Sequence, residues 1–146
     1  MRTTVFAAIC FLAFANLTVV LKAQKANSTK ESVYAPLEKV PEKYKQTKNP
    51  LANDPDAAAA GRILFEEHCE ECHGKEGVGG KKAPSLRAEE VQNAPPGAIF
   101  WILTNGIVRK KMPVWSKLPE PQRWQLVTYL KSLGIASGET PQSTKP

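Results

Sequence analysis

Cysteine and histidine are scarce in this chain of 146 residues, with three of the first and two of the second. There is no second, separated pair of such residues to complete a structural zinc knuckle, which draws its ligands from two pairs. No segment alternates apolar and polar residues convincingly enough to be a strand, so the βαβ setting of a thioredoxin-like redox pair is missing too. Arginine-rich or aromatic-interleaved stretches are also absent. The net charge of +6 is mild, and lysines kept for solubility account for most of it, so nucleic acid is not an expected partner. Past residue 23 a single methionine remains, Met112.

What is present divides the chain. Met1-Arg2 is a short positive region, and Thr3 to Leu21 carries no charge. Ala13-Phe14-Ala15 fits a small-x-small cleavage pattern, and Leu21-Lys22-Ala23 fits it less well. The uncharged run also approaches the roughly 17–25 residues that span a bilayer as a helix. Residues 1–23 therefore read as a signal peptide or an N-terminal membrane anchor, and either places the domain outside the cytoplasm. Residues 24–53 are rich in Lys, Glu, Gln, Asn and Pro, and the expectation is a flexible polar linker. Residues 135–146 have the same character and read as a disordered tail. The folded unit is then 54–134, about eighty residues, a size at which a metal or covalent cofactor usually reinforces the core.

Within that unit the pattern predicts an all-α fold of three main helices plus loops. Asp54 caps the first, Pro55 occupies its first position, and Asp56 favours the helix dipole. Pro95-Pro96 opens the second, which is apolar all round from Ala98 to Leu103 and stops at Asn105-Gly106. The third begins near Pro119-Glu120, carries Trp124, Val127, Leu130 and Leu133 as an apolar stripe, and is expected to be capped by Gly134. A short helical turn fits around Ala88 to Val91.

Cys69-Glu70-Glu71-Cys72-His73 is a C-x-x-C-H pattern. Two thiols three residues apart near a helix end can add to the two vinyl groups on one edge of a haem. The histidine next in line is then carried under the ring, where a neutral imidazole can bind iron. Three rival readings stand beside it: a thioredoxin-like pair, a zinc site from His68, Cys69, Cys72 and His73, and a structural disulfide. Met112 offers a second axial ligand. A lone methionine is ordinarily a gap-filler in the core. Here its thioether is a soft ligand suited to haem iron, and Pro113 fixes the adjoining backbone. His68 adjoins Cys69 on the proximal side and cannot compete.

Met112-Pro113, thirty-nine residues after His73 and with a helix on either side, resembles the class I cytochromes c. It is most similar to the monohaem domains that serve terminal oxidases or periplasmic dehydrogenases. The resemblance covers Asp54 to about Gly134. It implies one covalently bound haem c on Cys69 and Cys72, with His73 and Met112 as axial ligands. Pro84 matches the family proline whose carbonyl accepts the ligand histidine's Nδ1–H. Gly61 and Phe65 match family positions that meet a leucine and an aromatic of the last helix, here Leu126 and Tyr129. Gly costs about 0.5–1 kcal/mol against Ala inside a helix, so close approach of another helix is a fitting compensation. The haem-propionate partners do not transfer clearly; Arg87, Trp101 and Trp115 are candidates.

With both axial positions filled, the iron can change oxidation state and has no site for substrate. The implied activity is electron transfer with redox partner proteins, an oxidase or a dehydrogenase, in the periplasm, either soluble or held at the inner membrane by the N-terminal segment. A small haem peroxidase, a gas-binding haem protein and a purely structural disulfide module are the rivals. Lys75, Lys81, Lys82, Arg109, Lys110 and Lys111 flank the ligand positions in sequence. They read either as a steering patch or as ordinary solvated lysines, with Glu66, Glu67, Glu70 and Glu71 close by.

Overall fold

The computed structural model describes residues 31–135, and these form helices and loops without a strand. In chain order the helices are α1 (Ala35–Glu38), α2 (Glu42–Lys45), α3 (Pro55–His68), α4 (Glu70–His73), α5 (Glu89–Gln92), α6 (Pro96–Asn105) and α7 (Glu120–Ile135). Single 3-10 turns lie at Lys75–Gly77 and Val108–Lys110. The three longest helices are those expected, and α5 is the expected short turn. Residues 1–30 and 136–146 lie outside the described residues, and with them the signal or anchor, the first part of the linker and nearly all of the tail. No described helix is long and apolar enough to cross a membrane.

The start of α3 follows from its first residues. Asp54 Oδ1 accepts from the backbone N–H groups of Asp56 at 2.9 Å and Ala57 at 3.1 Å, and Pro55 has no N–H to leave unpaired. α3 packs extensively on α7, and at Gly61 the two backbones come close. A Cβ there would lie 2.0 Å from the Gln125 carbonyl oxygen and 2.9 Å from Tyr129 Cβ. One turn on, Phe65 is fully buried with its ring 5.4 Å from that of Tyr129. Leu126, also fully buried, lies in the same core cluster, but the backbone that Gly61 meets is that of Gln125. α6 buries Gly97, Ala98, Ile99, Ile102 and Leu103 and ends at Gly106, whose φ of +67° a glycine adopts without strain. Phe100 stacks on Trp124 of α7 at 4.0 Å.

Two expectations need correction. Gly134 does not cap α7; it lies inside the helix, where a Cβ would sit 2.5 Å from Gln92 Oε1. The Gln92 amide donates to the Leu86 and Leu130 carbonyls at 2.7 and 3.1 Å, so this glycine makes room for a polar tie between α5 and α7. The second correction concerns the linker. From Val33 to Asn53 the chain is packed against the domain. Val40 is 3% exposed and clusters with Ala98 and Ile102. Gly97 admits the Tyr44 carbonyl oxygen 2.0 Å from where a Cβ would stand. Asn49 is buried, and its Nδ2 donates to Thr128 Oγ1 at 2.9 Å and to the Trp124 carbonyl at 3.4 Å. Mean composition hides this packing. A few apolar residues, Leu37, Val40 and Leu51, suffice when α6 and α7 supply the rest of the surface.

Candidate functional site

The C-x-x-C-H residues lie on one turn because α3 breaks at Cys69. Cys69 leaves helical geometry (φ −123°, ψ −31°) while its N–H still closes on the Phe65 carbonyl at 2.8 Å. The carbonyl of Cys69 then accepts from the N–H groups of Cys72 at 3.1 Å and His73 at 3.0 Å, which starts α4. Both cysteines are free thiols rather than a disulfide. Cys72 is exposed and Cys69 half-buried; burial, with Cys72 adding to it, pushes the Cys69 thiol up to about 11.

The loop after His73 turns back through glycines. Gly79, at φ +83°, donates its N–H to the His73 carbonyl at 2.7 Å. A Cβ on Gly79 would lie 2.4 Å from Ser85 N, so only glycine lets the Pro84-Ser85 segment come this close. As a result His73 Nδ1 sits 3.0 Å from the Pro84 carbonyl oxygen. A carbonyl only accepts, so Nδ1 carries the proton and the Nε2 lone pair is left for another partner. Burial lowers the His73 pKa, with the bond to Pro84 acting in the opposite sense, which favours the neutral ring.

Met112 is held by a different loop. Gly106 lets the chain pass close to Met112 and Pro113, whose carbonyl oxygens would lie 2.8 and 2.7 Å from a Cβ there. Lys111 adopts left-handed geometry (φ +63°), and Met112 pairs with Ile107 through N–H···O bonds of 3.0 and 3.3 Å. Trp115 N–H then closes on the Leu103 carbonyl at 2.9 Å, tying the loop to α6. The half-buried Met112 side chain packs against both core clusters.

The structure thus brings Cys69, Cys72, His73 and Pro84 together and fixes Met112 on its own hairpin. The three candidate propionate partners each have a protein partner. Arg87 pairs with Glu76 at 3.0 Å and donates to the Glu76 carbonyl, Trp101 lies against Tyr44, and Trp115 lies against His68 with ring centres 5.2 Å apart. Sequence reasoning missed Tyr34, whose hydroxyl donates to the Ser85 carbonyl at 3.0 Å. Its only signal was that it is one of two aromatics, with Tyr44, in a polar stretch.

The donor set fits a covalently held haem: two free thiols on one turn, an imidazole oriented with Nε2 available, and a soft thioether on a bridged hairpin. An all-α domain of this size built around such a turn defines the class, a c-type cytochrome domain. The chain belongs to the family described as cytochrome C oxidase, cbb3-type, subunit III, whose model matches residues 56–130. Comparison with curated proteins finds no match. Membership makes it an electron-transfer protein with covalently bound haem c, not an enzyme.

Proposed function

We propose that the chain carries single electrons through one haem, attached at Cys69 and Cys72 and ligated by His73 and Met112, in an exported respiratory or dehydrogenase-linked chain. The observation that supports this reading is the 3.0 Å approach of His73 Nδ1 to the Pro84 carbonyl, which leaves the Nε2 lone pair available to a metal. When bound, the haem supplies an iron that alternates between ferric and ferrous. The chain's residues would hold that iron in an environment that suits exchange: Pro84 orients the imidazole, Cys69 and Cys72 would anchor the macrocycle, and the Ile107–Met112 hairpin would present the thioether. A thioether ligand and burial both favour the ferrous state and raise the potential.

The partners that fit are redox proteins, an oxidase or a dehydrogenase. The location is the periplasm, with residues 1–23 as cleaved signal or inner-membrane anchor. The absorption spectrum of the purified protein tests the ligation. A low-spin ferric haem with a long-wavelength sulfur-to-iron band, at one haem per chain, is the expected result. A high-spin spectrum open to carbon monoxide overturns it.

A further inference from the structure

Residues 33–49 precede the span 56–130 that the family model matches, yet they touch both loops that carry the candidate ligands. Two consecutive residues make the outer contacts. The Val33 carbonyl accepts Lys110 Nζ at 3.1 Å, two residues before Met112. The Tyr34 hydroxyl donates to the Ser85 carbonyl at 3.0 Å, beside the Pro84 that holds His73. Further along, Val40 forms a buried cluster with Ala98 and Ile102, and Leu37, Trp101, Ile107 and Met112 pack against it. The far end is pinned by the Tyr44 carbonyl seated on Gly97 and by buried Asn49 bonded to Thr128.

The Met112 hairpin needs such support. Its own ties are the two Ile107–Met112 bonds, the turn bonds from the Lys110 and Lys111 N–H groups to the Ile107 and Val108 carbonyls, the Trp115–Leu103 bond and the packing of Met112 and Trp115 on the main core cluster, while Val108 and Val114 are 72% and 47% exposed. A loop with exposed outer residues opens locally at a lower free energy than the core. The Val40 cluster supplies buried apolar contact to the two residues that form the bridge, Ile107 and Met112.

We propose that residues 33–49 are a strap, with Tyr34 and Val40 as positioning residues, that ties the Met112 hairpin to the Pro84-Ser85 loop and slows release of the thioether. The proposal rests on His73 and Met112 being the axial pair. It reaches beyond the family's shared domain, since the strap lies outside the matched span.

The test uses the full-length ferric holo-protein mixed rapidly with imidazole. At high imidazole the rate of Met112 replacement becomes the rate of hairpin opening, followed by loss of the sulfur-to-iron band. Val40→Ala should raise that limiting rate roughly tenfold, equivalent to about 1.4 kcal/mol. Tyr34→Phe keeps the ring and its packing, and should raise the rate severalfold. Ala57→Gly, at a buried position of α3 outside both core clusters, should lower the unfolding midpoint and leave the opening rate at the parent's value. Parent-like rates in both strap variants, or an equal rise in Ala57→Gly, overturn the strap. A parent protein lacking the sulfur-to-iron band overturns the ligation reading, and the strap falls with it; that band tells the two failures apart.

Discussion

The Pro84 carbonyl oxygen lies 3.0 Å from His73 Nδ1, and Gly79 is the residue that lets it approach. An added methyl at Gly79 would collide with Ser85 N at 2.4 Å, in a backbone conformation (φ +83°) that L side chains rarely adopt. Gly79→Ala should therefore push the Pro84-Ser85 segment away, at about 1–3 kcal/mol of stability. Weakening the bond to Nδ1 makes the imidazole a poorer donor to iron and favours the ferrous state, so the reduction potential should rise. Voltammetry of parent and variant checks the sign. An unchanged potential together with unchanged stability would mean that the loop absorbs the methyl.

Met112→Ala should move the potential the other way. Attachment through Cys69 and Cys72, as proposed, would not depend on the distal side, so the haem should stay attached. Loss of a soft ligand stabilises ferric iron, and axial ligand choice is the main lever in a haem potential range of about 0.8 V. The variant should also bind added cyanide and gain peroxidase activity. Retention of the parent's potential and of its closure to cyanide would leave Met112 as packing alone.

Gly61→Ala tests the helix crossing that supports the site. The new methyl would stand 2.0 Å from the Gln125 carbonyl oxygen, so α3 and α7 must separate. Overpacking of this kind costs about 1–3 kcal/mol, and each kcal/mol lowers the melting temperature of a domain this small by about 4–8 °C. Thermal unfolding of the holo-protein followed by circular dichroism measures it. A melting temperature equal to the parent's would show that the two helices are not in close contact.

Steering by the loop cations should be uneven. Lys82 Nζ is engaged with Glu71 at 2.7 Å, and Lys110 Nζ with the Val33 carbonyl at 3.1 Å. The Glu71 carboxylate holds the Lys82 pKa above its ordinary value, and Lys82 lowers that of Glu71 in turn. Both side chains are exposed, so the pair contributes little to stability and mainly cancels charge. Lys81→Gln should slow association with an acidic redox partner more than Lys82→Gln, and all rates should fall as ionic strength rises. Stopped-flow rates that stay flat with salt would reject the steering patch.

Local signals were enough for the elements. Asp54 and Pro55, Pro96 with Gly106, and the apolar stripe from Trp124 to Leu133 each act within a few residues, so the helix starts and the all-α class were legible in the chain alone. The C-x-x-C-H pattern is legible for the same reason, because its geometry is that of a single turn.

Tertiary structure decided what depends on residues far apart. Gly134 looked like a cap because glycine ends helices, and only the Gln92 amide arriving from α5 shows why a glycine stands there inside the helix. Lys82 read as one of several loop cations with four acidic residues near it in sequence, and folding selects Glu71 as its partner. The segment from Val33 to Asn53 looked like a linker because its own apolar content is low. Its order comes from surfaces that the rest of the chain builds: Ala98 and Ile102 beneath Val40, Thr128 against Asn49, and the Ser85 carbonyl above Tyr34. A sequence states how much apolar surface a segment owns, but only the fold determines how much it can share.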